Sequence, residues 1–221
     1  MENPLSKIFV IFDLDGTLVD SEGLCNQAFL DLIPLLDEPQ GALVRRYRGQ
    51  KLRSILADIE ARIGHGLPPD FERHYRQRVA DLFVSDLKPM PGVVGMLESI
   101  EGECCVASGG PPEKIRHALR VSGLARYFDQ GIYSSYDIGS WKPEPGLLQH
   151  AARAMGYEPQ QCAVIEDSDL GVRAALAAGM KAFQYLPDHQ SEPFPGSVPF
   201  DDMARLPQLL REFSAHIEVQ N

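Results

Sequence analysis

Long hydrophobic runs are missing from this chain: no window approaches the ~18 uninterrupted apolar residues that a membrane-spanning helix requires. Residues Met1 to Lys7 lack a basic stretch leading into an apolar core, so no secretory leader is expected. Cysteine is scarce. The 4 present, at positions 25, 104, 105 and 162, form no C-x-x-C pair and have no histidine at zinc-finger spacing. A disulfide framework and a structural zinc site are therefore unsupported, and the thiols read as small buried hydrophobes in a reducing cytosol. Positive charge is short as well, with 21 Lys and Arg against 31 Asp and Glu, a net charge of −10. Such a surface repels nucleic-acid phosphates and anionic lipid. The expectation is a cytoplasmic protein with neither nucleic acid nor membrane as partner, and nothing implies an obligate protein partner. The 6 histidines are scattered without metal-ligand spacing.

What is present is enough apolar material for a proper core, 44% of 221 residues, which at domain scale allows one large domain or a core with one insert. Ile8-Phe9-Val10-Ile11-Phe12 is a continuous apolar run rich in β-branched and aromatic residues, the grammar of a strand buried on both faces in a parallel sheet. It stops at Asp13. Cys104 to Ala107 stops at Ser108-Gly109-Gly110, and Cys162 to Ile165 stops at Glu166-Asp167-Ser168. Gly131 to Tyr133 and Lys181 to Tyr185 read as weaker strands. Between them lie helical patterns over 93–100, 112–122, 144–155 and 169–178, the last closed by Gly179.

Strands alternating with helices of this length predict βαβ units: an α/β fold, a Rossmann-like doubly wound parallel sheet. Residues 21–88 break the rhythm, with helical patterns over 22–36, 39–48, 52–63 and 69–84 and no convincing strand. The domain reading is thus a core of residues 1–20 and 89–221 carrying a helical insert, 21–88, straight after the first strand.

In an open parallel sheet, ligands bind outside the carboxyl ends of the strands. Asp13-Leu14-Asp15, Ser108 and Glu166-Asp167 all end strands at that edge, and Trp141-Lys142-Pro143 delivers a lysine just before a helix. Single residues of these kinds would mean little. Asp13 and Asp15 do not make a calcium loop, because Leu18 stands where an EF-hand needs glycine and Leu24 where it needs its terminal glutamate. Ser108 does not make an esterase elbow, because Val106 occupies the first glycine position of G-x-S-x-G.

Taken together, Phe12 to Ser21, Ser108, Lys142-Pro143 and Ile165 to Ser168, with Gly171 and Ala178-Gly179 behind them, resemble the four motifs of the haloacid dehalogenase superfamily. The helical insert resembles the subfamily I cap. Ser135-Tyr136-Asp137-Ile138 leading to Trp141 resembles bacterial sugar-phosphate phosphatases of the 6-phosphogluconate phosphatase group.

The resemblance implies a magnesium-dependent phosphatase that cleaves a small phosphorylated metabolite through an aspartyl-phosphate. Asp13 would be the nucleophile, and Asp15 the general acid and base, needing a raised pKa. Mg2+ would be held by Asp13, the Asp15 carbonyl, Asp167 and, through a water, Glu166. Lys142 would supply positive charge, and Ser108 with Gly109 would hold the phosphoryl oxygens.

Asp20-Ser21 is expected to cap the first helix of the insert. Arg45 to Arg53 carries five cations, Arg45, Arg46, Arg48, Lys51 and Arg53; the Arg48-Gly49-Gln50-Lys51 turn resembles the cap loop that faces the core site, although a solvated basic face fits the pattern too. If Arg48, Gly49 and Lys51 bind substrate, an acid sugar phosphate is favoured. Two other readings stand beside this one: a mutase of the β-phosphoglucomutase type, which Cys25 in place of the mutase histidine weakens, and a catalytically silent phospholigand-binding module.

Overall fold

Strand β1 (Phe9–Phe12) sits in the middle of a parallel sheet because every one of its side chains is apolar and buried, so neither face can meet water. The computed structural model describes residues 8–100, 102–128, 131–187 and 192–220; the stretch 1–7, where the sequence shows no leader pattern, lies outside them. β2 (Cys104–Ser108), β3 (Ile132–Ser134), β4 (Cys162–Glu166), β5 (Lys181–Tyr185) and β6 (Val198–Phe200) complete the sheet in the order β3-β2-β1-β4-β5-β6. All pairings are parallel. β6 escaped the sequence pattern because Pro199 interrupts it, and such a residue is tolerated on the edge strand that β6 is.

Alternation along β1 divides the core in two. Ile8, Val10 and Phe12 face an apolar cluster with Met96 of α5 (Val93–Ser99), Ile115 of α6 (Pro112–Val121) and Leu210 of α10 (Leu206–Gln220). Phe9 and Ile11 face the other, built on Leu147, Leu148 and Ala151 of α8 (Gly146–Met155) and Val172 of α9 (Asp169–Ala177). Helices thus cover both faces, as the doubly wound reading expected. A single-turn helix, α7 (Ser135–Ile138), follows β3. Among the described residues no helix is long and apolar enough to cross a membrane.

Between β1 and α5 the chain forms α1 (Glu22–Leu32), α2 (Gln40–Tyr47), α3 (Leu52–Ile63) and α4 (Phe71–Asp86). α1 stops four residues short of the expected end, because Pro34 pushes Ile33 out of the helical region. α8 likewise starts at Gly146 and not at Glu144, which precedes Pro145. Phe29, Leu43, Ile59 and Phe83 of this insert belong to the same apolar cluster as Phe12, Leu14 and Leu18. The insert is therefore packed down on the strand ends.

Candidate active site

The chain moves from β1 outward to β2 and β3, then returns to place β4 on the other side of β1, and this reversal opens a crevice at the carboxyl ends of the two strands. Register makes the ends level: Phe12 lies opposite Val106 on one side and Ile165 on the other. The next residues, Asp13, Ala107-Ser108 and Glu166-Asp167, therefore meet at one height. The Asp13 amide donates to the Ile165 carbonyl at 2.9 Å, fixing the backbone where the strand ends. Carboxylate oxygens of Asp13, Glu166 and Asp167 lie within 4.8 Å of one another, all three residues buried.

Three buried carboxylates repel one another, and the chain answers with a lysine. The Lys142 ammonium donates to Asp13 Oδ1 at 2.5 Å and to Glu166 Oε1. Burial opposes charge on that ammonium, but Asp13 and Glu166 outweigh it and hold Lys142 protonated. Burial still pushes the Asp13 carboxyl up to about 7, against the pull of Lys142 and with the help of Glu166. Asp167 is driven well above the usual carboxylate range by burial, then by the charges of Glu166 and Glu22. The cluster holds more negative charge than its cations neutralise, and its donors are hard oxygens, which fits a divalent cation such as Mg2+.

Local sequence explains why these groups stay in place. Gly16 adopts φ +79°, and a Cβ there would stand 2.6 Å from Asp167 Oδ2, so only glycine turns this corner. Thr17 donates its hydroxyl to Asp167 Oδ1 at 3.2 Å. Ser168 caps α9 by accepting from the Gly171 amide, and gives its own hydroxyl and amide to Glu166 Oε2 at 2.9 and 3.1 Å. A side chain at Gly171 would overlap the Glu166 carboxyl. Ser108 is buried at the end of β2, where its hydroxyl accepts from the Gly110 amide at 3.1 Å; Ser108 and Gly109 both line the crevice.

Asp15 departs from expectation. Lys114, on α6, donates to both of its carboxylate oxygens at 2.7 Å, and Ser21 donates to Oδ1 at 2.5 Å. Burial raises the Asp15 carboxyl, but Lys114 and Ser21 overcome that effect and hold it below its ordinary value. The raised pKa expected of a general acid is therefore not found at Asp15. Ser21 is likewise no side-chain cap for α1: its backbone is helical and its hydroxyl is spent on Asp15. Lys114 carries no sequence signal, because nothing in Pro111-Pro112-Glu113-Lys114 tells which helix face meets Asp15.

Above the rim, the insert encloses a cavity of about 890 Å3 whose floor includes Asp13, Asp15 and Ser108. Of the five cations between Arg45 and Arg53, the fold divides two from three. Arg48 bridges Glu22, at 3.2 Å, and Asp167, at 3.6 Å, and Lys51 places its ammonium 4.6 Å from the centre of the Trp141 ring. Arg46 pairs with Asp58 at 2.7 Å, and Arg45 and Arg53 are exposed; none of these three lines the cavity. Gly49, at φ +71°, brings its backbone so close to the α9 cap that a Cβ would sit 2.9 Å from Ser168 Oγ. Arg76 of α4 donates to the Tyr136 hydroxyl at 2.9 Å and lies over its ring. Glu22, Arg76 and Lys114 were not singled out from the sequence, since each acts across a contact between distant segments.

A family model described as haloacid dehalogenase-like hydrolase matches residues 9–179. The chain is 35% identical over 207 residues to the 6-phosphogluconate phosphatase of Escherichia coli strain K12, covering 90% of this chain and 93% of that one. It is 31% identical over 177 residues to a fructose-1-phosphate phosphatase of the same organism, covering 78% and 93%. Among solved structures, a haloacid dehalogenase-like protein from Agrobacterium tumefaciens matches with a TM-score of 0.79 at 27% identity, over 93% of this chain and 98% of that one.

Proposed function

This chain belongs to the haloacid dehalogenase-like hydrolases and is a phosphoric monoester hydrolase of that family, and from that premise we propose that it hydrolyses a small sugar or sugar-acid phosphate with Mg2+, through an acyl phosphate on Asp13. The observation that carries this reading is the levelled meeting of Asp13, Glu166, Asp167 and Lys142 at the switch point of the sheet. Residues 21–88 act as a cap over a core of 1–20 and 89–221.

An Asp13 carboxylate oxygen attacks phosphorus while the bond to the leaving alcohol breaks, and Lys142 stabilises the charge of both carboxylate and phosphoryl group. Ser108 and the backbone amide of Gly109 donate to phosphoryl oxygens. Asp15 protonates the leaving oxygen and then takes a proton from the water that splits the acyl phosphate. Lys114 and Ser21 favour the ionised form of Asp15, and a phosphate dianion bound beside it raises its proton affinity by like-charge repulsion. Asp13, Asp167 and the Asp15 carbonyl, with Glu166 behind, would hold Mg2+, which would supply positive charge to the phosphoryl group.

Arg48, Lys51 and Arg76 give the cavity wall three cations, which favours a leaving group bearing a second negative charge. A relative named for 6-phosphogluconate supports that second charge, and one named for fructose 1-phosphate supports the wider class of sugar phosphates. The mutase reading needs a group at position 25 that orients a sugar hydroxyl; here burial pushes the Cys25 thiol up to about 11, so it stays neutral. The experiment is phosphate release with Mg2+ across sugar phosphates, sugar-acid phosphates and nucleotides, followed by phosphorus NMR. Stoichiometric inorganic phosphate from a sugar or sugar-acid phosphate is expected. Interconversion of β-glucose 1-phosphate and glucose 6-phosphate faster than phosphate release would overturn the phosphatase reading in favour of the mutase.

A further inference from the structure

Lys114 has a donor to spare. An ammonium carries three N–H groups, and two of them are spent on Asp15, at 2.7 Å to each oxygen. Its ammonium also lies 5.8 Å from the centre of the Phe83 ring and close enough to the Cys25 thiol and the Asp13 carboxylate to feel their charge, but among the described residues no hydrogen bond joins it to an acceptor other than Asp15. The side chain is only 22% exposed and forms part of the cavity wall. A largely buried charged donor without an acceptor is costly, and here the open direction is the cavity.

Position says what would fill it. A carboxylate acting on the leaving oxygen approaches to about 2.6–3.2 Å, so the Lys114 ammonium lies roughly 4–6 Å from that oxygen once Asp15 is engaged. An oxygen on the next carbon of the leaving group falls within hydrogen-bond reach of the same point. Arg48 and Lys51 are engaged elsewhere, with Glu22, Asp167 and Trp141.

We propose that Lys114 is the specificity-determining residue that reads a vicinal oxygen, the hydroxyl on the carbon next to the phosphate-bearing one, and so selects polyol phosphates over simple alkyl phosphates. The inference rests on the phosphatase reading above, and it deepens that reading by naming the part of the leaving group that is recognised. It also explains why the lysine grips both Asp15 oxygens: one group holds the acid and base in place and measures the substrate beside it.

The test compares glycerol 3-phosphate with 3-hydroxypropyl phosphate, which has the same length and lacks only the middle hydroxyl. In the intact protein with Mg2+, kcat/KM should favour glycerol 3-phosphate by roughly ten- to hundredfold, the scale of a hydrogen bond to a charged group. Lys114→Met should bring that ratio to within about threefold of unity, chiefly through KM for glycerol 3-phosphate, and Lys114→Arg should restore part of it. Equal losses on both esters, leaving the ratio intact, would show that Lys114 only positions Asp15 and would overturn the inference. A wild-type ratio near one would overturn it too, while leaving the phosphatase reading standing. Absence of phosphate release from every ester would instead strike the phosphatase reading itself. Should Lys114→Met fail to give a cooperative melt, Lys114→Gln, a neutral donor, must lower the ratio at least threefold; an unchanged ratio refutes the proposal.

Discussion

The rim of the sheet and the wall supplied by the helical insert face each other across the same cavity, yet they are built in opposite ways. On the rim, Asp13, Glu166 and Asp167 are buried, sit at or next to strand ends, and are each held by a hydroxyl, an amide or Lys142. On the wall, Arg48, Lys51 and Arg76 reach in on long side chains, anchored by ion pairs and aromatic faces that are partly exposed. The rim holds charges at fixed positions in a low dielectric, where each is worth most. The wall makes weaker contacts that a substrate can rearrange, which suits selection more than chemistry.

Asp13→Asn separates the two most sharply. Turnover should fall by several orders of magnitude, measured as phosphate release, while the melting temperature holds or rises because one of three mutually repelling carboxyls is neutralised. Rapid-quench labelling should place phosphate on Asp13 in the wild type. Activity near wild type in this variant would abolish the distinction between rim and wall.

Chelation should come next in size. EDTA is expected to remove activity, Mg2+ to restore it, and Ca2+ to restore little, since its larger and looser shell places the nucleophile poorly. The rim's electrostatics add a pH signature. Burial pushes the Asp13 carboxyl up from its ordinary value to about 7 in the folded protein, so the folded state binds more protons than the unfolded one between those values. Metal-free stability is therefore present at low pH and falls as pH rises toward 7. Mg2+ should raise the melting temperature more at pH 8 than at pH 5, and an equal gain at both would place the ion elsewhere.

Gly171→Ala tests whether the rim is as tightly built as it looks. The new methyl overlaps the Glu166 carboxyl, so we expect destabilisation of about 1–3 kcal/mol with a loss of activity, read by denaturant unfolding and phosphate release. Retention of both would mean the rim relaxes easily.

The smallest effect belongs to the wall. Lys51→Ala should lower kcat/KM for a sugar-acid phosphate about two- to fivefold, the scale of one exposed cation–π contact, and should lower it less for a neutral sugar phosphate. Equal loss on both substrates would make Lys51 a clasp on Trp141 with no part in selection.

Much of the rim was legible beforehand because it follows from local rules. A strand buried on both faces must be apolar throughout, so the first polar residue after it marks the end, and Asp13, Ser108 and Glu166 announce themselves in that way. Most helices were legible too, though α1 and α8 were trimmed by Pro34 and Pro145, and α7 and α10 were not expected. Ser21 was misread because its sequence neighbourhood resembles a cap, while its partner, Asp15, lies six residues upstream in a turn. Lys114 was invisible for the same reason at longer range, its partner being 99 residues away.

The sequence by itself therefore determined most of the succession of strands and helices, from β1 to β5, and the residues at the strand ends, because apolar periodicity and turn chemistry act over a few neighbouring residues. Only the tertiary structure decided which cations face the cavity, that Arg48 and Lys51 turn inward while Arg46 turns to Asp58, and that Asp15 is held as a carboxylate. Partner choice among charged side chains depends on distance and burial, and both are set by how remote segments pack.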